Sequence, residues 1–283
     1  MDIERTDFFK AINDVPIKKN EGDYFDGEVL ICCKCNTPKS MIFPSKLENF
    51  KNKIVPIMCK CRTIEKNKEI AEEKQKKVEN RINLLVSKGI MDKSHLDYDI
   101  SQDDKSNKKI TNFCKRYLDN WDIVKNKNMG VIFSGDVGTG KTFYACCIAK
   151  ELMKKGEKIC ITNFSRILNK YKSFEEEQTD IISMVYNSTL LVIDDFGIER
   201  RTEFANEKIF EFIDARIGSK LPTIITTNLT LKELQSQDLE LKRIYSRIKK
   251  ICPLKFIIDG EDRREAESKE IFKDFLKEND LDN

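Results

Sequence analysis

The chain has 283 residues, enough for about two domains, and 40% of them are hydrophobic, which excludes a wholly disordered protein. Lysine and arginine number 51 against 48 aspartates and glutamates, so a formal net charge of +3 points to no particular partner. The single histidine, His95, excludes any site that needs two imidazoles from one chain. A transition metal would therefore have to be bound by cysteine thiolates.

The first residues do not have the pattern of a secretory signal. Four of the six residues at positions 2–7 are charged, where a secretory signal would be apolar, and the chain contains no run of about 18 apolar residues without a charge. We therefore expect a cytoplasmic protein that does not associate with membranes. In a reducing compartment, the ten cysteines indicate metal binding or buried free thiols rather than disulfides.

The first segment combines a short predicted helix and an acidic stretch, over residues 2–30, with a cysteine-rich module over residues 31–62. The module contains a C-x-x-C pair and a C-x-C pair, formed by Cys32, Cys35, Cys59 and Cys61. Four thiolates can close a tetrahedral Zn²⁺ site that has no open position for chemistry. The sequence thus predicts a structural zinc ion that holds together a segment too small to bury a core, with Cys33 as a possible substitute for Cys32.

The remaining five cysteines lie in apolar surroundings, and we expect them to be core residues. They are Cys114, Cys146, Cys147, Cys160 and Cys252.

A long helix is predicted over residues 62–88, which lack glycine and proline. Its thin apolar stripe recurs at steps of four and three, at Ala71, Gln75, Val78, Ile82 and Leu85. Basic residues outnumber acidic ones along it, which fits a solvated face with a partner-binding stripe or, alternatively, direct contact with DNA.

The boundary between two domains is predicted near residue 96. Gly89 is a plausible helix stop, and residues 99–109 have the polar composition of a linker. We therefore expect a front domain over 1–95 and a second domain over 96–283.

The second domain alternates short apolar runs with longer helical patterns. This alternation predicts an α/β fold with a parallel sheet. The five predicted strands are Gly130–Ser134, Lys158–Asn163, Leu190–Ile193, Pro222–Thr226 and Leu254–Ile258.

A glycine-rich motif follows the first of these strands and precedes a predicted helix. It fits G-x-x-x-x-G-K-[ST] at every fixed position and consists of Gly135, Asp136, Val137, Gly138, Thr139, Gly140, Lys141 and Thr142. Glycines let the backbone wrap closely around a polyphosphate, and the following helix N-terminus adds partial positive charge. We expect Lys141 to reach the β- and γ-phosphates of ATP and the Thr142 hydroxyl to bind Mg²⁺.

Two carboxylates end the buried strand at Leu190–Ile193. This pattern resembles a Walker B strand, which delivers an acid to the metal beside a P-loop. We assign Asp194 to Mg²⁺, mainly through water, and Asp195 to polarising the attacking water. Glu199 is the alternative candidate for the base.

Polar residues also follow the next strand, where Asn228 could orient a water molecule or serve as an ordinary turn residue. Farther along, Arg243, Arg247 and Arg264 by themselves predict only solvated surface residues. The stretch at 164–172 combines aromatic and basic groups, which suits single-stranded DNA but fits a plain exposed helix equally well.

Together these motifs resemble the AAA+ ATPases of the bacterial replicative helicase loader family (DnaC and DnaI) and the similar IstB-type transposition helpers. The resemblance spans most of residues 128–264. It rests on GDVGTGKT, LLVIDDFGIE and PTIITTNL, on the helix at 206–216, and on the segments at 243–248 and 260–264.

The resemblance implies an AAA+ P-loop ATPase preceded by a small zinc-binding module and a long helix. It gives Asn228 the sensor 1 position, Arg247 the role of an arginine finger that completes a neighbouring copy's site, and Arg264 the sensor 2 position. Hydrolysis would then depend on self-association through the ATPase domains. Aspartate at 195, where many relatives have glutamate, implies slow turnover, and the short stretch after Arg264 implies a reduced helical lid.

The family further implies a function in DNA replication. The front module would dock a replicative hexameric DNA helicase, and the ATPase domain would bind ATP·Mg²⁺ and single-stranded DNA. Three alternatives remain: an IstB-like transposition helper on duplex DNA, a nucleotide-dependent DNA-binding switch with little hydrolysis, and a small-molecule kinase.

Overall fold

The computed structural model describes residues 17–42, 54–88, 90–103, 107–172, 182–199, 202–230, 232–235 and 238–263, with Phe272 and Phe275. These residues form two compact units that divide between Lys74 and Gln75. The sequence predicts the boundary near 96 instead. The difference arises because residues 75–95 contribute to the core of the larger unit, where Leu85 is buried.

The smaller unit contains two antiparallel strand pairs. They are β1 (Tyr24–Asp26) with β2 (Val29–Ile31), and β3 (Ser40–Ile42) with β4 (Ile54–Pro56). Strands of three residues are too short to show a hydrophobic period, so the sequence does not predict them. Leu30 lies at the centre of this unit, fully buried, with its amide donating to Ser40 Oγ over 2.8 Å.

Helix α1 spans Lys60–Ser87, close to the predicted 62–88, while Gly89 itself lies outside the described residues. The apolar stripe has unequal burial along the helix. Ala71 is exposed, Val78 and Ile82 are half-buried against the core of the larger unit, and Leu85 is 1% exposed.

The larger unit is built on a five-stranded parallel sheet, which confirms the predicted α/β fold. The strand order is β6-β7-β8-β5-β9, and each neighbouring pair runs parallel. All five carboxyl ends therefore lie at one edge of the sheet. The strands are β5 (Val131–Ser134), β6 (Ile159–Thr162), β7 (Leu190–Phe196), β8 (Thr223–Thr227) and β9 (Leu254–Ile257).

Helices connect these strands, and buried apolar residues of the helices and strands together form the core. The helices are α2 (Lys108–Asp119), α3 (Trp121–Asn126), α4 (Lys141–Lys154), α5 (Phe164–Tyr171), α6 (Glu203–Ser219) and α7 (Leu239–Ile251). In the part of the chain that the structure describes, we find no helix with both the length and the apolar character needed to cross a membrane.

The segment before α2 packs on the domain, although its composition predicts a linker. Asp99 caps a short 3₁₀ helix (Ile100–Gln102) and lies 3.5 Å from the Lys150 amine. Asp103 is buried and accepts a hydrogen bond from the Tyr144 hydroxyl over 3.0 Å. The polar residues of this segment thus find partners on α4 instead of solvent.

The aromatic residues of α5, for which the sequence leaves open a DNA-stacking surface or a plain exposed helix, pack on the core of the larger unit. Phe164 is 0% exposed and contacts the rings of Phe196 and Phe212. The hydroxyl of Tyr171 forms a hydrogen bond with that of Tyr186. Phe164 therefore offers no face to a nucleobase, whereas Tyr171 is half-buried.

A buried arginine ties α6 to the start of β8. Arg216 is 0% exposed, and its guanidinium donates to Pro222 O over 2.8 Å and to Thr223 Oγ1 over 3.1 Å. Burial lowers the pKa of Arg216 to about 10, so the side chain still carries its charge near neutral pH.

Candidate functional site

The glycine-rich loop connects β5 to the N-terminus of α4. Gly138 has a φ of +76°, a backbone conformation that residues with a Cβ rarely adopt, so glycine is favoured at this position of the loop. Lys141 is 4% exposed, and its amine donates to the Asp136 carbonyl within the loop. Such a loop presents backbone amides and a lysine from a helix N-terminus, an arrangement that suits a polyphosphate.

Asp194 lies beside the end of this loop, although 52 residues separate it from Thr142. Its Oδ1 accepts hydrogen bonds from Thr142 Oγ1 over 2.7 Å and from Thr226 Oγ1 over 2.6 Å. Asp194 is 6% exposed, so these two hydroxyls orient a largely desolvated carboxylate. Hydroxyl and carboxylate oxygens are suitable ligands for Mg²⁺, so Thr142 and Asp194 could both take part in binding that ion.

An irregularity in β7 places Asp195 next to the same threonine. The register of β7 with β8 shifts between Ile193 and Phe196, and Asp195 has a φ of +52°. Its amide donates to Thr226 Oγ1 over 2.9 Å. A bulge of this kind re-aims the side chain, and non-glycine residues with positive φ are frequent at functional sites.

A cleft with a volume of about 1120 Å³, including its open mouth, lies over the carboxyl edge of the sheet. Asp195 and Asn228 line it, and so do Lys141 and Thr142. The remaining lining residues are Tyr98, Gln102, Val137, Gly138, Gly140, Phe143 and Arg263. The cleft therefore brings together a lysine, a hydroxyl, a carboxylate, an amide and an arginine around a glycine-rich loop.

Arg263 is a site residue that the sequence-based prediction does not include. Its amide donates to Gly138 O over 3.1 Å, and its guanidinium lies beside Gly140. Arg264, which the family resemblance selects, lies outside the described residues. Of these two adjacent arginines, Arg263 is the one that the structure describes, and it lines the cleft.

Glu199, the alternative base, lies apart from the cleft. Its Oε2 accepts a hydrogen bond from the Gly197 amide over 2.8 Å, and the side chain lines a separate small cavity with Tyr245 and Ile244. Burial raises the pKa of Glu199. Of the two candidate bases, Asp195 is the one that lines the cleft.

Arg247 lies on α7 and is not among the residues that line the cleft. Its Nε donates to Asp214 Oδ1 over 2.8 Å, and its guanidinium lies 4.0 Å from the centroid of the Phe210 ring. Both partners belong to α6, so the arginine is held in a defined orientation on the surface.

In the smaller unit, the structure brings four cysteine sulfurs together within 4.8 Å of one another. They belong to Cys32, Cys35, Cys59 and Cys61, the set favoured from the sequence, and Cys33 is exposed and not a member. Sulfurs in a tetrahedral zinc site, with Zn–S bonds of about 2.3 Å, lie about 3.8 Å apart. The separation is 3.6 Å from Cys32 Sγ to Cys61 Sγ and 3.3 Å from Cys59 Sγ to Cys61 Sγ, so the cluster fits Zn²⁺.

Hydrogen bonds favour the thiolate form of two of these cysteines. The pKa of Cys35 is lowered to about 6, first by the Thr37 hydroxyl and then by the Cys61 amide. The amides of Cys35 and Lys34 lower the pKa of Cys32. Thiolates are the form that binds metal. The five remaining cysteines are all buried, as expected.

Comparison with known families identifies the larger part of the chain. The family model described as IstB-like ATP binding protein matches residues 63–265. The chain belongs to the IstB-like ATP-binding protein family. The match begins after the cysteine cluster and includes the P-loop, Asp194 and Arg263, and it confirms the resemblance found from the motifs.

Curated relatives of this IstB-like chain include replicative helicase loaders. The replicative helicase loader DnaC of Escherichia coli (strain K12) is 33% identical over 107 residues, which are 36% of this chain and 44% of the relative. The protein of the same name from Buchnera aphidicola subsp. Baizongia pistaciae (strain Bp) is 28% identical over 137 residues, 46% of this chain and 54% of the relative. The chain thus spans about half the length of these relatives.

Solved structures share the fold of this IstB-like chain. A crystal structure of DnaI matches with a TM-score of 0.52 at 23% identity, covering 61% of this chain and 94% of DnaI. A crystal structure of the DnaC helicase loader matches with a TM-score of 0.52 at 24% identity, covering 59% of this chain and all of the other. The AAA+ P-loop fold expected from the sequence is thereby confirmed.

Proposed function

We propose that this chain is a magnesium-dependent ATPase that loads a replicative DNA helicase onto single-stranded DNA. The observation that carries the proposal is the meeting of the P-loop, Asp195, Asn228 and Arg263 at one cleft. Membership of an ATP-binding family supports the nucleotide, and relatives named as replicative helicase loaders support the loading role.

Nucleotide binding is assigned to the loop and its neighbours. Lys141 exchanges the Asp136 carbonyl for phosphate oxygens, and the loop amides and the N-terminus of α4 hold the polyphosphate. Thr142 and Asp194 would hold Mg²⁺, which would supply positive charge to the phosphate oxygens. Arg263 covers the phosphates from the segment that contacts Gly138.

Hydrolysis is assigned to Asp195 and Asn228. The Asp195 carboxylate takes a proton from the attacking water, and the Asn228 amide orients that water. An aspartate is one methylene shorter than a glutamate, so its reach to the water is shorter. We therefore expect slow turnover by the chain alone.

The arginine finger is assigned to Arg247 of a second copy. The side chain contacts Asp214 and Phe210 and does not line its own cleft, which supports a role in stabilising charge in a neighbour's site. The turnover per chain should therefore rise with protein concentration. Each active site would combine Asp195 of one copy with Arg247 of its neighbour.

Mixing two inactive variants tests this assignment. Lys141→Ala disables the nucleotide site and Arg247→Ala removes the finger, so each should be inactive alone. A mixture should regain turnover, because the Lys141→Ala copy supplies Arg247 to an intact site. Arg243→Ala, an exposed arginine on the same helix, is the matched control and should behave as wild type. Full activity of Arg247→Ala alone would refute the assignment.

Docking of the helicase is assigned to the smaller unit, with zinc holding Cys32, Cys35, Cys59 and Cys61 in place. Gel filtration of the full chain with a hexameric replicative helicase, with and without ATP, tests it. Wild type and Lys141→Ala should both co-elute with the helicase, and Cys59→Ser should not.

Two further measurements, of duplex DNA binding and of ATP turnover with single-stranded DNA and helicase added, separate the alternatives. Tight binding to duplex DNA without capture of the helicase would instead support a transposition helper. Turnover that stays absent with single-stranded DNA and helicase present would support a nucleotide-dependent switch.

A further inference from the structure

The only histidine of the chain lies next to the candidate magnesium site, although the proposed function gives it no role. His95 belongs to a 3₁₀ helix (Lys93–Leu96), and Asp92 is the N-cap residue of this helix. The carboxylate of Asp92 accepts from the Ser94 amide over 3.1 Å and from the Arg166 guanidinium over 2.9 Å. The position of the imidazole is therefore set by the turn and by α5.

The imidazole faces the oxygen of Asp194 that the threonines do not use. Nε2 of His95 lies 3.8 Å from Asp194 Oδ2, whereas Thr142 and Thr226 both donate to Oδ1. The two side chains are 17% and 9% exposed. A separation of 3.8 Å exceeds a hydrogen bond, so a shift of about 1 Å would make one.

The other nitrogen of the ring is also unusual. Nδ1 of His95 is buried and has no hydrogen-bond partner among the described residues. A buried polar atom without a partner costs stability and calls for an explanation. An apolar side chain would fill this space without that cost, so packing does not explain a histidine here.

We propose that His95 is a positioning residue for the magnesium site, acting through Asp194. The inference rests on the proposed function, in which the Thr142 hydroxyl binds Mg²⁺ through an oxygen lone pair and still donates its proton to Oδ1 of Asp194. Thr142 and Thr226 then orient Oδ1, and His95 orients Oδ2, the oxygen that neither threonine contacts. Outer partners of this kind tune metal affinity without touching the metal.

Titrations with a fluorescent ATP analogue and Mg²⁺ test the proposal on the full chain. In His95→Ala, the Mg²⁺ concentration that gives half of the maximal increase in analogue binding should rise about tenfold. The affinity for the analogue in EDTA, without Mg²⁺, should stay within about twofold of wild type. His95→Gln, which keeps a donor, should recover most of the difference. Lys93→Ala, an exposed neighbour on the same turn, should match wild type.

The outcomes separate the two levels of inference. If wild type binds the analogue and His95→Ala needs no extra Mg²⁺, the role of His95 is refuted. A parallel loss of affinity with and without Mg²⁺, together with a lower melting temperature, would make His95 a structural residue and also refute it. Failure of wild type to bind the analogue at all would refute the proposed function instead.

A spectroscopic measurement provides a readout independent of activity. Because His95 is the only histidine, its imidazole C–H signals in an NMR spectrum need no assignment. Replacing Mg²⁺ by paramagnetic Mn²⁺ with ATP should broaden these signals, and Asp194→Asn should remove the effect. Sharp imidazole signals under saturating Mn²⁺·ATP would place the metal elsewhere and overturn the proposal.

Discussion

Thr226 and Asp194 lie on neighbouring strands and share a hydrogen bond of 2.6 Å, donated by the threonine hydroxyl. The same hydroxyl accepts from the Asp195 amide over 2.9 Å. One side chain of β8 thus fixes both carboxylate-bearing residues at the end of β7. Thr226 itself is 0% exposed and does not line the cleft.

Removing this hydroxyl should impair the site without unfolding the protein. Thr226→Val keeps the shape of the side chain but frees the Asp194 carboxylate, so kcat/KM for ATP should fall about tenfold or more. Thr226→Ser should retain most activity. Steady-state ATPase assays, with circular dichroism to check folding, measure the effect.

Thr162→Val is the matched control for this prediction. Thr162 ends β6, the strand on the other side of β7 from β8, is 1% exposed, and its hydroxyl has no partner among the described residues. Its removal should leave activity unchanged and stability equal or slightly higher. Equal losses in both valine variants would mean that the Thr226 hydroxyl has no special role.

Arg263 should matter more for ATP binding than its neighbour. Its amide is bonded to the P-loop and its guanidinium lies beside Gly140, so Arg263→Ala should weaken ATP binding about 10- to 100-fold, the loss expected for a hydrogen bond to a charged group. Equilibrium binding of a fluorescent ATP analogue measures this. A larger loss in Arg264→Ala than in Arg263→Ala would reverse the assignment of the two arginines.

The zinc content should distinguish two cysteines of the smaller unit. Cys59→Ser removes one of the four clustered sulfurs, so purified protein should lose its zinc or bind it far more weakly. Cys33→Ser should keep one zinc per chain, because Cys33 lies outside the cluster. Elemental analysis by mass spectrometry decides between them. Full zinc in Cys59→Ser would contradict the proposed ligand set.

Arg216→Lys should destabilise the larger unit by about 2–4 kcal/mol, because lysine cannot replace several directed hydrogen bonds of a buried guanidinium. Urea unfolding followed by the fluorescence of Trp121, the only tryptophan, measures this. Arg116→Lys, an exposed arginine on α2, should change stability by less than about 0.5 kcal/mol. A loss no larger than that of Arg116→Lys would show that the buried contacts contribute little.

Local patterns predicted the sheet and the loop well. The P-loop motif and the apolar run at 190–193 depend on a few adjacent residues, so they are visible without knowledge of the fold. The strands of the sheet lie within three residues of their predicted ends. The extension of β7 to Phe196 was missed because two charged residues interrupt the apolar run.

The remaining features depend on contacts between distant residues. Thr226 acquires its role only because β8 lies beside a bulge in β7, and neither the strand order nor the bulge is evident from local sequence. Phe164 is aromatic and next to basic residues, yet the turn of α5 directs it into the core. The division at Lys74–Gln75 falls within a helix, where composition gives no sign of a boundary.

The position of β5 in the sheet has a consequence for synthesis. Its two neighbours, β8 and β9, follow it by about 90 and 120 residues in the chain. At a ribosomal rate of roughly 5–20 residues per second, the strand that carries the P-loop emerges many seconds before either neighbour exists. During that interval the apolar strand Val131–Phe133 lacks both of its sheet neighbours, so we expect the P-loop to reach its final geometry only after translation has passed Ile257.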